Sequence, residues 1–212
     1  YAQAHLIRGI MLLEDGDPSR ALADLDMALA LNPCASAYLK RAAANRALGK
    51  DADSDADLDE AARRFPDDYS VRIARAAARR NSGNLRAAYD DYTEAARINP
   101  AVPEPYFNRG ATSLLQGDFA AALSDFDRAA ELSPDSPLGY YGRGLVEERR
   151  GRRGEALAQF MKALEKNVAA ENGALQSELE GRVPELHVIG DCDRPQRVRQ
   201  AVDAGHRVGL AL

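Results

Sequence analysis

One spacing governs this chain: the same layout of residue types returns every 33 or 34 residues. Gly16, Gly49, Gly83, Gly117 and Gly151 mark the period. Downstream of each glycine stands a small residue, Ala28, Ala61, Ala95, Ala129 and Ala163. A proline then closes four of the five units, at Pro33, Pro66, Pro100 and Pro134, with Val168 in the fifth. Glycine admits the positive φ that a tight turn requires, and proline cannot continue a helix. Each unit therefore reads as two helices joined by a turn. Units of this size bury their apolar faces on their neighbours, which makes the chain a stacked array.

The fourth unit illustrates the expected boundaries. Helix A spans 104–115, Gln116, Gly117 and Asp118 form the turn, helix B spans 119–132, and Ser133 and Pro134 end it. A small residue late in helix A (Gly9, Ala42, Ala76, Gly110, Gly144) lets two backbones approach. A large apolar residue of helix B (Leu25, Leu58, Tyr92, Phe126, Phe160) fills the space between helices, and a small one before it (Ala21, Ser54, Ala88, Ala122, Ala156) makes room. Over residues 2–168 this in-phase pattern resembles the tetratricopeptide repeat family. The resemblance implies an all-α, right-handed superhelix of five helix-turn-helix repeats, 2–34, 35–68, 69–102, 103–136 and 137–168. The chain departs from the family in lacking Trp and in placing Arg where the family usually has Leu.

Those arginines, Arg8, Arg41, Arg75, Arg109 and Arg143, form a column matched by a second one. Asp24, Asp57, Asp91 and Asp125 recur on helix B one residue before the large apolar position, and Gln159 breaks the series. Two charged columns in register predict a structural ion-pair ladder rather than a ligand site. Arg suits such a ladder because its planar fork holds a carboxylate through two hydrogen bonds.

A net charge of −5 offers no basic footprint for nucleic acid, and no apolar run is long enough to span a membrane. Cys34 and Cys192 form no framework, and His5, His187 and His206 lack ligand spacing, so no metal site is expected. The run Asp51, Asp53, Asp55, Asp57 resembles a calcium loop but has Ala56 where such a loop needs Gly and Ala62 where it needs Glu. It is expected at the start of a helix, where carboxylates meet the favourable end of the dipole. The arginines at 149, 150, 152 and 153 read as a solvated turn. The chain starts at Tyr1 rather than Met, which suggests a fragment or processed form with further repeats before it. The compartment stays open, with the cytoplasm preferred.

In the tetratricopeptide repeat family the concave surface, lined by helix A, is the usual ligand site. The first lining position carries Leu6, Leu39, Ile73, Phe107 and Tyr141, and the next carries Ile10, Ala43, Ala77, Ala111 and Leu145. Chaperone-binding members carry Lys and Asn there, and only Asn108 matches such a clamp. What remains is an apolar trough flanked by Arg46, Arg80 and Arg149. The expected partner-binding residues are Leu39, Arg46, Ile73, Arg80, Phe107, Asn108, Tyr141 and Arg149.

Residues 169–212 leave the phase. Leu186–Asp191 is a short apolar run ending in Gly-Asp, and Pro195 opens a helical stretch, so this tail reads as a strand, a turn and a helix. From about Leu175 it resembles the C-terminal end of the flavoproteins related to 2,4-dienoyl-CoA reductase and trimethylamine dehydrogenase. The matching residues are Gly181 to Pro184, Val188 to Cys192, Pro195, Ala201, Ala204 and Gly205. That resemblance implies that Gly190 and Asp191 would touch the ribityl chain of FAD. The chain lacks a G-x-G-x-x-G loop and a nicotinamide site, so no cofactor is expected and the last helix is read as an end cap. The expected function is a non-catalytic scaffold that binds a peptide or partner subunit on the concave helix-A face. The alternatives are a fragment of an FAD-dependent oxidoreductase and a structural adaptor subunit of a larger complex.

Overall fold

A computed structural model describes residues 1–168, and side chains as far as Lys166. Ten helices run through these residues: α1 (Ala2–Glu14), α2 (Pro18–Leu31), α3 (Ala35–Ala47), α4 (Asp51–Arg64), α5 (Tyr69–Asn81), α6 (Leu85–Ile98), α7 (Pro103–Gln116), α8 (Phe119–Leu132), α9 (Leu138–Arg149) and α10 (Arg153–Val168). No strand occurs among the described residues. The expected tail strand and helix, with Gly190 and Asp191, lie outside them.

Helices pair as the period dictates, odd-numbered helix A with the following helix B. The turn glycines all take positive φ, between 72° and 81°, where a Cβ would be strained. Gly117, in the left-handed region at φ 81°, caps α7 directly. Four helices, α2, α5, α6 and α8, start on a side-chain cap. Asp17, Asp68, Asn84 and Asp118 each accept a hydrogen bond from the backbone N–H three residues on. Helix α7 runs one residue further at each end than the sequence suggests. Pro103 fits its first turn because that N–H would have no helical partner anyway.

The chain divides into two compact units, Tyr1–Pro100 and Ala101 onward. In the first, Ala21, Leu25, Ala28 and Leu58 are buried between helices A and B. In the second, Ala122, Phe126, Ala129, Phe160 and Ala163 take these places. The small column on helix A is steric: a Cβ on Gly110 would stand 3.0 Å from Phe126 Cε1 and 3.1 Å from the Ala122 carbonyl oxygen. The acidic run at 51–57 lies on α4, with Asp51 and Asp53 in the first turn, as the repeat phase requires.

Candidate functional site

The arginine column is a ladder with two kinds of rung. Towards its own helix B, Arg8 donates from Nε and Nη2 to Asp24, both at 2.6 Å. Arg41 reaches Asp57 at 2.5 Å, Arg75 reaches Asp91 at 2.6 Å and Arg109 reaches Asp125 at 2.6 Å. The second kind of rung runs back to the preceding helix B. Arg41 Nη1 donates to Asp26 at 2.7 Å, Arg75 Nη1 to Asp59 at 3.2 Å and Arg143 Nε to Asp127 at 2.5 Å. The aspartates that face these arginines from their own repeats are at most 6% exposed. The Arg8 hydrogen bonds hold the Asp24 carboxyl down at about 2, well below the usual carboxylate value, with His5 helping against the opposing effect of burial.

Sequence reasoning missed the second rung. Its signal is an aspartate on each side of the large apolar residue: Asp24-Leu25-Asp26, Asp57-Leu58-Asp59 and Asp125-Phe126-Asp127. A further column three residues before each Arg supports it. Tyr38, Tyr106 and Tyr140 lie under the guanidinium groups of Arg41, Arg109 and Arg143, 5.5–5.8 Å from the ring centres. In repeats one and three that column holds His5 and Arg72, which bind Asp24 and Asp91 instead.

The fifth repeat lacks the helix-B carboxylate of the other four. Gln159 stands at the aspartate position, and its buried Oε1 has no hydrogen-bond partner. On α9 the same repeat has a buried acid, Glu147, 9% exposed, which pairs with Arg150 at 3.2 Å and Arg152 at 3.4 Å. The arginine-rich turn is thus tied to its own helix.

The expected lining residues divide by compact unit. In the first, Leu39 packs beside Ala42, Leu58 and Ala78, whereas Ile73 packs beside Ala76, Ala88 and Tyr92 in a separate cluster. Arg46 is exposed and donates from Nη2 to Ser54 Oγ at 3.2 Å, and Arg80 is half-buried. In the second, Phe107 and Tyr141 join one cluster with Phe160, Leu145 and Leu164. The Phe107 ring lies 5.5 Å from Phe126, and Tyr141 lies 5.9 Å from Phe160. Tyr141 is buried, so it presents little surface of its own, while Phe107 and Asn108 stay half-exposed and Arg149 is exposed. Among the described residues no three His, Cys, Asp or Glu side chains converge on a metal-sized site. No helix among them is long and apolar enough to cross a membrane.

The family model for the tetratricopeptide repeat matches residues 6–69 and 109–174, and the chain belongs to that family. Solved structures share its fold. A thermophilic TPR protein of Thermus thermophilus is 25% identical, with a TM-score of 0.64 over 84% of this chain and 96% of that one. MamA of Desulfovibrio magneticus is 16% identical, with a TM-score of 0.70 over 81% of this chain and 97% of that one. YrrB, described as a TPR protein with an unusual peptide-binding site, is 21% identical, with a TM-score of 0.64 over 78% of this chain and 86% of that one. A sequence search of curated proteins found no match. The family match does not extend over 175–212, where the flavoprotein resemblance falls.

Proposed function

We propose that the chain is a non-catalytic protein-interaction scaffold whose helix-A faces bind a peptide or partner subunit. The observation that carries this reading is the contrast on α7 and α9 between fixed and accessible groups. Phe107 is held against Phe126 yet half-exposed, and Leu145 beside it is half-exposed too, while Arg149 projects into solvent one turn further along α9. A rigid aromatic edge beside a solvated guanidinium suits an apolar side chain followed by a carboxylate. Aromatic and Arg side chains are also the ones that most often carry interface energy. In the first compact unit the corresponding surface comprises Leu39, Arg46, Ile73 and Arg80. In the second, Tyr141 acts by positioning, since its ring is buried on Phe160. The peptide-binding site noted for YrrB supports a peptide as the class of ligand.

The test is affinity capture with mass spectrometry, comparing the full chain with Phe107→Ala and with Arg149→Glu. Partners held by wild type and lost from both variants support the helix-A face of the second unit. Unchanged partners in both variants would remove it.

A further inference from the structure

In the first compact unit the charges are sorted by helix. Helices α3 and α5 carry three and four basic residues and no acidic one. Helix α4, between them in the chain, carries six acids. In the second unit the helix-A charges balance instead, with Glu104 against Arg109 on α7 and Glu147 and Glu148 against Arg143 and Arg149 on α9. The net charge of −5 therefore conceals a cationic pair of helices.

Part of that charge is neutralised inside the fold. Arg41 binds Asp57 and Asp26, and Arg72, Arg75 and Arg79 all bind Asp91. The other cations are Lys40, Arg46 and Arg80. Among the described residues Lys40 makes no hydrogen bond or ion pair, and Arg46 meets only the Ser54 hydroxyl, at 3.2 Å. Arg80 repeats the Arg46 position on α5, the adjoining helix A. Lys40 lies three residues before Ala43 and Arg46 three after it, so the two cations flank this alanine on the helix surface. They stand about 9 Å apart along the axis. Ala43 and Ala47 are exposed, and Ala74 and Ala77 hold the same places on α5, half-buried. The chaperone-clamp positions carry Leu39, Ile73, Ala43 and Ala77, so these cations form a different pattern.

We propose that the helix-A face of α3 and α5 receives an acidic peptide segment of the partner, with small residues between its carboxylates. The proposal rests on the reading of the helix-A faces as the partner-binding surface. An extended chain advances about 3.3 Å per residue, so carboxylates three residues apart match the separation of Lys40 and Arg46. The alanine row gives a large apolar anchor nothing to fill, so charge supplies the selectivity. It also holds no aromatic ring on which a nucleic-acid base could stack.

The probe is a fluorescein-labelled peptide of four Glu-Ala-Gly units, with anisotropy read against the full chain at low and high salt. Saturation is expected, weaker at high salt because exposed charges are screened. The Gln-Ala-Gly peptide should not bind. Lys40→Glu and Arg46→Glu should each weaken the acidic peptide about tenfold, as loss of a charge-assisted hydrogen bond does, and circular-dichroism melts check that both variants fold. Arg153→Glu makes the same charge change at an exposed site on α10 and should leave the affinity unchanged. Absence of saturation, equal binding of the Gln peptide, or an equal loss in Arg153→Glu would each overturn the proposal; the last would mark attraction without a site. A single-stranded oligonucleotide that binds more tightly than the peptide, with the same sensitivity to Lys40→Glu and Arg46→Glu, would assign the face to nucleic acid instead. Affinity capture keeps the two readings apart: partners lost in Phe107→Ala and Arg149→Glu, with no binding of the acidic peptide, would keep the scaffold and remove the acidic ligand.

Discussion

The Arg75 guanidinium clasps Asp91 through two parallel hydrogen bonds, Nε to Oδ2 at 2.8 Å and Nη2 to Oδ1 at 2.6 Å. Its remaining Nη1 reaches Asp59 on the preceding helix B. Arg72 and Arg79 also bind Asp91, and Arg79 bridges to Asp59 in the same way. One arginine thus fixes helix α5 to the helix after it and to the helix before it. This geometry explains why Arg can occupy a column that is elsewhere Leu. The side chain gives up apolar packing for a bidentate contact on one side and a further hydrogen bond on the other. A buried ion pair of this kind is weak evidence for added stability but a strong constraint on register.

Breaking one partner therefore harms the fold more than removing both. Arg109→Leu would leave the Asp125 carboxylate, 6% exposed, without its principal partner. The expected loss is on the order of 3 kcal/mol. Arg109→Leu with Asp125→Leu recovers part of that loss, because no uncompensated charge remains. Thermal melts of both singles and the double decide it. A double variant that melts no higher than the worse single would contradict the ladder.

In the fifth repeat the expectation reverses. Gln159 offers Arg143 no carboxylate, and Arg143 turns to Asp127 instead. Gln159→Leu removes a buried oxygen that has no partner, so stability should hold or rise by about 1 kcal/mol. A urea titration that shows a clear loss would mean that the amide makes a contact of value.

Acid should loosen the first repeat through Asp24. Its carboxyl sits at about 2 in the folded chain against an ordinary value of 3.8, chiefly through the Arg8 hydrogen bonds. A depressed folded value contributes stability that is full above the unfolded value. That contribution is lost as pH falls through the folded one, between about pH 4 and about pH 2. Urea midpoints across that window should fall more steeply for wild type than for Asp24→Asn. Parallel curves would show that the pair does not couple to folding.

The fold was legible because it is written as a period. Glycines, alanines and prolines recur at spacings that only a helix-turn-helix array satisfies, and the columns locate the helices to within a residue or so, as α7 shows. The first rung of the ladder was legible for the same reason. The second was not, because Asp26, Asp59 and Asp127 face the neighbouring repeat, and a contact between repeats is invisible when each repeat is read alone. Tyr141 shows another limit. Its column marks a lining position, but whether a lining ring faces solvent depends on its neighbours. Phe160 covers Tyr141, while Phe107 keeps an open edge.

Arg149 offers the cleanest separation of binding from folding. It is exposed at the end of α9. Arg149→Glu should shift stability by no more than about 0.5 kcal/mol, the usual range for a surface change. If the helix-A face of the second unit receives a carboxylate-bearing partner, the same change reverses the local charge. It should then weaken capture severalfold and flatten its dependence on salt. Phe107→Ala behaves differently: it loses the ring contact with Phe126 as well as the accessible edge, so it should lower the melting temperature and capture together. The two variants measured side by side, by melt and by affinity capture at two ionic strengths, separate a scaffold face from a merely structural one. Capture unaffected by Arg149→Glu at both salt concentrations would show that Arg149 does not meet the partner.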